Sequence, residues 1–579
     1  MKTPTALRRL EVVAALRDIA ALMKLRTGDP FRSAAYAKAA SVIAEYDGDL
    51  EPLIQQKRLT EIKGIGKSLA GVIEELFLTG NSSLLERLKE ELPPGALVLA
   101  KVGLTLSRIE KLYETLGIAS IDDLRSAIEA GMLRSVPGFG EKTEASLLAR
   151  ISKYENKSDD ILLVHALESA KKAVDYLQLI PEAEQVDIAG AMRRWKETVS
   201  DIRITAMAGT DASQLVSHFL KFPLIAEIES QNEGSATVQL LDGMVVTLSI
   251  AGRDQYWNLL HHETGAEAHL KRLQEIATEK RIDLTRLTMR STAGRRVLEV
   301  HSEEDIYKHL GMQYVPPELR EDVGEIEAAL SSRIPDDLIA IDDIMGMVHC
   351  HTTYSDGRNS LEEMARAAEA MGMKYMTITD HSPTAHYAGG LSVERLKQQW
   401  DEISEVQEKV SIKLLRGTES DILREGELDY PDDVLEKFDV IIASIHNRYK
   451  LDEDQMTNRV INAMKNPFFK IWGHPLGRLV QRRPPIDCRV EEILDAIAAS
   501  GAAIEISADP HRLDMEPRWA REARKRGTKF VISTDAHSVS ELQNLKFGVG
   551  IARRAGVRRG EVLNTLCAEA FSESVRPAK

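Results

Sequence analysis

The chain is 579 residues long with 43% apolar and 28% charged residues, too long for one hydrophobic core, and this predicts three or four domains of ordinary globular composition. No stretch approaches the ~18 consecutive apolar residues of a membrane span, the start MKTPTALRRLEVVAALRDIAALMKL lacks the apolar core of a secretory leader, and three scattered cysteines, Cys350, Cys488 and Cys567, exclude a disulfide framework and a Cys-x-x-Cys zinc site, so a cytoplasmic protein with no membrane partner is expected. A net charge of −15 excludes a surface coated in phosphate-binding side chains, so nucleic acid has to be held by local basic clusters or by backbone amides.

Residues 1 to about 155 read as all-α: apolar positions recur every three or four residues, punctuated by Gly64-Ile65-Gly66 and Gly138-Phe139-Gly140. From about 160 to 315, helical stretches such as DDILLVHALESAKKAVDYLQL mix with β-branched runs such as SATVQLLDGMVVTLSI, which predicts an α+β domain. Tyr314 to Asp343 opens on a Pro pair and is rich in acids, the composition of a linker carrying a short helix. Beyond it come the runs MGMVHCH, YMTITDH, KLLRGTE, FDVIIASIH, FKIWGH, AAIEIS and TKFVISTDAH, separated by helical stretches. All end in a residue able to bind metal except AAIEIS, which ends in Ser507. Functional side chains at the C-terminal ends of parallel strands are how a β/α barrel builds a site, so a barrel of about seven strands is predicted.

His349 and His351 are two apart on a strand, so both imidazoles face one side and Cys350 turns to the core. Later strand ends supply Asp380-His381, Glu419, His446, His474 and Asp535-x-His537. Such mixed ligation suits zinc, manganese or iron. Any one of these histidines alone reads as an ordinary core or surface residue, as His386 and His511 do. Eight of the fifteen histidines, however, lie between 349 and 537, and six of them end a run; that clustering marks a metal site.

The segments HCHTTYSDG, ITDH, GTESDI, ASIHN, GHPLGRL and STDAHS resemble the polymerase and histidinol phosphatase (PHP) family, and most closely the PHP domain that ends bacterial X-family DNA polymerases. The resemblance covers 345 to 570 and implies a distorted (β/α)7 barrel holding three divalent metals, commonly manganese or zinc, that hydrolyses phosphodiesters or phosphomonoesters. By motif it assigns His349, His351, Glu419 and Asp535 to one ion, Glu419 with His446 and His474 to a second, and His381, His537 and Asp356 to the third, with Asp380 orienting its neighbours. His349, His351, Glu419, His446 and Asp535 are then the residues closest to the chemistry. Arg478 and Arg512 follow strand ends, where planar forks could grip phosphate oxygens, a surface salt bridge being the alternative for each. One departure is Ser507, where the family usually has Asn.

In the front half, Leu59 to Ala70 and Val136 to Thr143 share one form: a helix end, a Gly-x-Gly turn and a new helix. They resemble helix-hairpin-helix motifs, in which glycines let a phosphate approach backbone N–H groups at a helix start and no base is read. Gly64, Gly66, Lys67, Gly138, Gly140 and Lys142 are the DNA-binding candidates, and Lys101 to Thr105 is a weaker third copy lacking the second glycine. Two such turns could also be plain helix C-caps. DPFRSAAYAKAASVI resembles the N-terminal helical domain of X-family polymerases and GAMRRWKETVSDIRI their palm. There the family carries Gly-Ser, Arg-Arg, Asp-x-Asp and a third aspartate on a neighbouring strand. Here Ala191 replaces the serine, Arg203 replaces the second aspartate beside Asp201, Thr247 falls at the third, and Ala266 follows Thr264-Gly265 near the expected sugar site. Val72 offers no Schiff-base amine. Polymerisation chemistry is expected to be lost or very weak, since two-metal transfer needs the carboxylates.

The resulting expectation is a monomeric, multidomain DNA-binding phosphoesterase of DNA repair, a 3′-5′ exonuclease or abasic-site endonuclease acting on gapped, 3′-ended or abasic DNA. Its domains are expected at 1–90 and 91–155 (helix-hairpin-helix), 156–315 (degenerate palm and thumb), 316–343 (linker) and 344–579 (PHP). The rivals are an active gap-filling polymerase with an editing domain, a small-molecule phosphatase and a non-enzymatic DNA scaffold.

Overall fold

A computed structural model describes residues 5–27, 30–45, 50–155, 160–209, 212–293 and 296–575. Contacts divide the chain into a first unit of 1–161, 169–186 and 200–250 and a second of 162–168, 187–199 and 251–579. Among the described residues no helix is long and apolar enough to cross a membrane.

The first unit begins with helices, among them α1 (Thr5–Thr27), α2 (Pro30–Glu45), α3 (Lys67–Thr79), α4 (Leu106–Leu116) and α5 (Glu141–Glu155). Their apolar stripes meet in one core that includes Leu16, Ile43, Ile73 and Leu112. α3 shows the rule: Ala70, Ile73, Leu76 and Phe77 are buried at three- and four-residue spacing, and the helix stops at Gly80 in the left-handed conformation. A five-stranded sheet follows, with β1 (Ala183–Ile188), β2 (Ile202–Ala208), β3 (Ile225–Asn232), β4 (Ser235–Leu240) and β5 (Val245–Ala251) in the order β1-β2-β5-β4-β3.

In the second unit the acidic segment after Tyr314 carries its short helix, Glu325–Leu330, but it is packed and not a free linker. Val315, Ile326 and Ile334 join the core of Leu273, Met289, Ile306 and Tyr307. Arg320 is fully buried there, donating to Glu303 and to the carbonyl of Val315; the segment's charges pair with residues outside it, Arg320 with Glu303, Glu325 with His269 and Glu318 with Arg553.

Seven parallel strands then form in chain order: β6 (Gly346–Met347), β7 (Tyr375–Ile378), β8 (Lys413–Asp421), β9 (Val440–Ser444), β10 (Ile471–Trp472), β11 (Ala503–Ser507) and β12 (Phe530–Ser533). A parallel bridge between Cys350 and Ala536 draws the last strand toward the first. The ladder stops at Met347, so β6 is shorter than the run MGMVHCH suggests, yet Cys350 is fully buried between the two histidines as the alternation requires. The interior strands are buried along nearly their whole length, the pattern of a parallel sheet covered on both faces.

The turn at 195–197 packs on the barrel within this unit. Trp195 lies edge-on to Phe547, ring centroids 5.9 Å apart, and a Cβ on Gly550 of the helix Leu545–Arg554 would fall 2.3 Å from the Trp195 ring. Beside it Glu197 accepts from Arg554 at 2.6 Å and Arg478 at 3.2 Å. Burial would raise the Glu197 carboxyl, but Arg554 and Arg478 hold it down to about 2. Gly550→Ala is therefore expected to destabilise the protein by about 1–3 kcal/mol through overpacking, seen as a lower urea midpoint by tryptophan fluorescence; an unchanged midpoint would contradict the packing.

Candidate metal centre

Every barrel strand except β11 is followed by or ends in a candidate ligand at its C-terminal end, and Glu419 on β8 lies at the middle of them, 1% exposed. Its two oxygens are divided among five imidazoles. Oε1 lies 2.8 Å from His474 Nε2 and 3.2 Å from His446 Nε2; Oε2 lies 2.9 Å from His381 Nδ1, 3.4 Å from His349 Nε2 and 3.6 Å from His351 Nε2. Asp535 Oδ1 adds contacts at 3.1 Å to His351 and 3.4 Å to His349. Asp356 Oδ1 faces His537 at 3.3 Å, His381 at 3.5 Å and His351 Nδ1 at 3.8 Å.

Among the described residues three groups able to hold an ion emerge: His349, His351, Glu419 and Asp535; His381, Glu419 and His446; and His351, Asp356, His381 and His537. The first is the set the motifs assign. In the others His381 serves two groups and His351 joins the third, while His474 belongs to none of the three and meets the cluster at Glu419 and through ring contacts with His349 and His446. A bare cluster of this kind is poorly satisfied: His349 Nε2, His351 Nδ1, His381 Nδ1 and Glu419 Oε2 are buried without a hydrogen bond, each an expense of about 1–3 kcal/mol unless something else binds it. Divalent cations would satisfy all four, so the residues fit a metal centre.

Residues outside the motif ligands orient them. Glu505 on β11, fully buried, accepts from His349 Nδ1 at 2.6 Å, from Ser533 Oγ and from the His474 backbone N–H. Asp421 holds His446 Nδ1 at 2.6 Å. These pairs fix which ring nitrogen faces the cluster. Asp380 accepts from Thr352 N (2.8 Å), Thr352 Oγ1 (2.7 Å) and Gln399 Nε2 (2.6 Å), and so shapes the loop that presents Asp356. Ser507, fully buried, makes a long 3.4 Å contact with the Asp509 N–H.

The two arginines part company. Arg512 Nε lies 3.5 Å from Asp535 and 3.3 Å from Asp509, buried and without a hydrogen bond, beside the cluster. Arg478 is spent elsewhere: it donates to the carbonyls of Arg512 (2.9 Å) and Leu513 and to Glu516 (3.0 Å) and Glu197. It holds the loop that carries Arg512.

The helical hairpins have matching backbones. Ile62 and Val136 accept from the N–H three residues on, at 3.0 and 3.1 Å, across turns whose third residues, Gly64 and Gly138, have φ of 100° and 95°, a region side chains rarely enter. Nothing lies within 4 Å of a Cβ built on Gly66, Gly138 or Gly140, so their backbones are open to an anion. Lys67 is exposed at the start of α3; the Lys142 side chain lies outside the described residues. A third copy follows Gly103 (φ 79°), with Thr105 starting α4. In the sheet, Arg203 Nε lies 2.8 Å from Asp201 Oδ2, and Thr247 Oγ1 lies 3.2 Å from Thr237 Oγ1. Asp242 sits in the turn after β4, bonded to Ser169 and the Met244 N–H, and Asp254 lies in the first turn of the helix Arg253–Thr264.

Burial would lower the imidazoles, but Glu419 and Asp356 push His381 up to about 10, Glu419 and Asp421 push His446 to about 9, and Asp356 and Asp535 push His537 to about 9. His351, buried beside His381 and His537, is lowered to about 3. Burial would raise Glu419, yet His446, His381 and His349 hold it well below the carboxylate range. The raised histidines stabilise the metal-free fold below their ordinary value near 6.5, and that contribution is lost as pH rises through 9 to 10. Metal ligation takes the neutral ring. Adding Mn²⁺ to the metal-free protein near neutral pH should release protons, and apparent affinity should fall as pH is lowered; calorimetry in buffers of different ionisation enthalpy checks this, and heats independent of buffer would contradict it.

Comparison with known families agrees with this architecture along the chain. Family models match for a helix-hairpin-helix domain at 8–82, a SAM-like helix-hairpin-helix tandem at 103–153, a DNA polymerase beta thumb at 259–321 and a PHP domain at 348–509. The DNA polymerase/3′-5′ exonuclease PolX of Bacillus subtilis (strain 168) is 32% identical over 567 residues, covering 96% of this chain and 97% of the relative. A probable phosphatase of Thermoanaerobacter sp. (strain X514) is 32% identical over 235 residues, 38% of this chain and 89% of its own; one of Caldanaerobacter subterraneus subsp. tengcongensis is 30% identical over 235 residues, 38% and 85%. Hairpins, thumb, barrel and a relative matched from end to end place the chain in one family: it is a member of the bacterial X-family DNA polymerases that carry a C-terminal PHP domain.

Proposed function

We propose that this protein is a DNA-binding, metal-dependent phosphodiesterase that trims DNA 3′ ends, cleaves at abasic sites, or both, in DNA repair, and that its polymerase region contributes binding while extending primers weakly or not at all. The observation that carries the reading is Glu419, one buried carboxylate divided among five imidazoles, an arrangement suited to closely spaced divalent ions such as manganese or zinc. The name of the Bacillus relative, a 3′-5′ exonuclease, supports the substrate and polarity.

Divalent metals bound at such ligands make a water nucleophilic near neutral pH and neutralise a departing oxygen. The chain's residues do the rest. Arg512, with a donor to spare beside Asp535, grips a non-bridging phosphate oxygen. Glu505 and Asp421 hold His349 and His446 in the tautomer that presents Nε2. The hairpins within 1–90 and 91–155 supply affinity for gapped, 3′-ended or abasic DNA through backbone amides, with the barrel of 344–579 performing hydrolysis in a monomer. A small-molecule phosphatase would leave those hairpins without a role.

The loss of polymerase chemistry rests on the ion pair between Arg203 and Asp201 at 2.8 Å. A guanidinium there occupies the carboxylate that would hold Mg²⁺, and Thr247 offers a hydroxyl already bonded to Thr237. Asp242 and Asp254, the acids nearest in sequence, lie in a turn and on a helix and do not replace it.

Glu419→Ala should lower Mn²⁺-dependent hydrolysis of 5′-labelled single-stranded, gapped and abasic DNA by more than about 100-fold, with duplex affinity near wild type; equal loss of both in a folded variant would overturn this division of labour. The unmodified chain should not extend a primer in Mg²⁺ or Mn²⁺, and restoring extension should need at least Arg203→Asp with Thr247→Asp, and Ala191→Ser for nucleotide phosphate contact. Robust templated extension in a Glu419→Ala background would refute the polymerase half of the proposal.

A further inference from the structure

Around the mouth of the barrel stand three side chains that the ligand cluster does not use. Tyr387 lies in the turn His386–Ala388 after β7 and is 71% exposed. Its ring stands edge-on to His381 and His446, centroids 6.2 and 6.1 Å away. The turn is pinned to the strand end: Leu391 N donates to the His381 carbonyl at 2.8 Å, Gly390 N to Ala385 at 3.1 Å, and Arg395 to Gly389 at 2.7 Å. A large ring is thus held in water beside the metal ligands, where an apolar face gains by being covered.

Two cations belong to the neighbouring loops. Arg448, two residues beyond His446 after β9, and Arg483, in the segment after β10, both donate to the carbonyl of Gly477, at 3.1 and 2.9 Å. Arg448 also bonds the carbonyls of Pro484 and Pro485, whereas Arg483 is exposed and donates only through Nε. Neither forms an ion pair with a carboxylate among the described residues, in a chain of net charge −15. Although the residue is exposed, enclosure of its guanidinium end, then Arg512 and Arg448, holds Arg483 below its usual range against the pull of the buried Asp514, and Tyr387 lies within its electrostatic reach. Like charges gathered on neutral carbonyls are stabilised by a polyanion.

We propose that Tyr387, Arg448 and Arg483 form a subsite for an unpaired nucleic-acid strand end, the ring stacking on the terminal base and the two guanidiniums taking adjoining phosphates. The inference rests on the phosphodiesterase reading and names its substrate: a frayed or single-stranded end, accepted without regard to base identity, because a ring face contacts the face every base offers. Cation and ring together are the usual composition of such a groove.

The test compares wild type, Tyr387→Ala, Tyr387→Phe and Arg483→Gln with Mn²⁺ on three substrates: a single strand ending in a normal nucleotide, the same strand ending in a tetrahydrofuran abasic residue, and bis(p-nitrophenyl) phosphate. Tyr387→Ala should raise KM about tenfold on the normal strand, change little on the abasic-ended strand, and leave the small diester unchanged, while Tyr387→Phe behaves as wild type. Arg483→Gln should flatten the salt dependence of KM on both strands, by about 0.7 in log–log slope for each phosphate it no longer neutralises. Equal effects of Tyr387→Ala on both strands, no effect on either, or impaired hydrolysis of the small diester would overturn the subsite. If wild type hydrolysed none of the three, the phosphodiesterase reading would fall, and the subsite would still be read by photocrosslinking a strand with 3′-terminal 5-iodouracil in Ca²⁺. An adduct on Tyr387 supports it; adducts only elsewhere reject it.

Discussion

A carboxylate sealed from water among five imidazoles is the constraint around which the barrel is organised. Glu419 could not stay ionised at 1% exposure without compensating positive charge, and protonated histidines or divalent ions are what the surroundings can provide. Everything nearby serves that compensation. Glu505, Asp421 and Asp380 anchor rings and loop from behind, so acids alternate with imidazoles outward from the centre. Removing one member leaves its neighbours unbalanced, which explains why so many titratable groups tolerate burial together and not singly.

Much of the site is legible from strand ends. Residues closing β/α runs have few structural reasons to be histidine or aspartate time after time, so the ligands stand out from the core. What the strand ends do not reveal lies inside the runs. Glu505 is two residues before Ser507 and Asp421 two after Glu419, so period two places each on the ligand-bearing side; that spacing is the signal by which both can be found. Arg478 carries no such signal. Its partner Glu197 is 281 residues away, and no local pattern tells a fork meant for phosphate from one that pins a loop. The acidic segment after Tyr314 misleads for the same reason: composition marks it as solvated, whereas Arg320 and Glu303 neutralise each other within a core.

The front half shows two ways of handling phosphate on an acidic chain. At the hairpins the backbone itself is offered, through glycines whose conformation and bare Cα admit an anion closely. In the five-stranded sheet the chain pairs its own charges instead: Arg203 Nε lies 2.8 Å from Asp201 Oδ2.

The clasp at Glu197 bears on inheritance. Arg478 and Arg554 belong to the barrel, yet the acid between them, and the indole seated on Gly550, come from the polymerase region. Buried guanidiniums left without that acid would be expensive. The probable phosphatase of Thermoanaerobacter aligns with 38% of this chain. A barrel separated from the turn at 195–197 would keep Glu516 for Arg478 but leave Arg554 without its carboxylate, so independence calls for a substitute acid there or a neutral side chain in place of that cation.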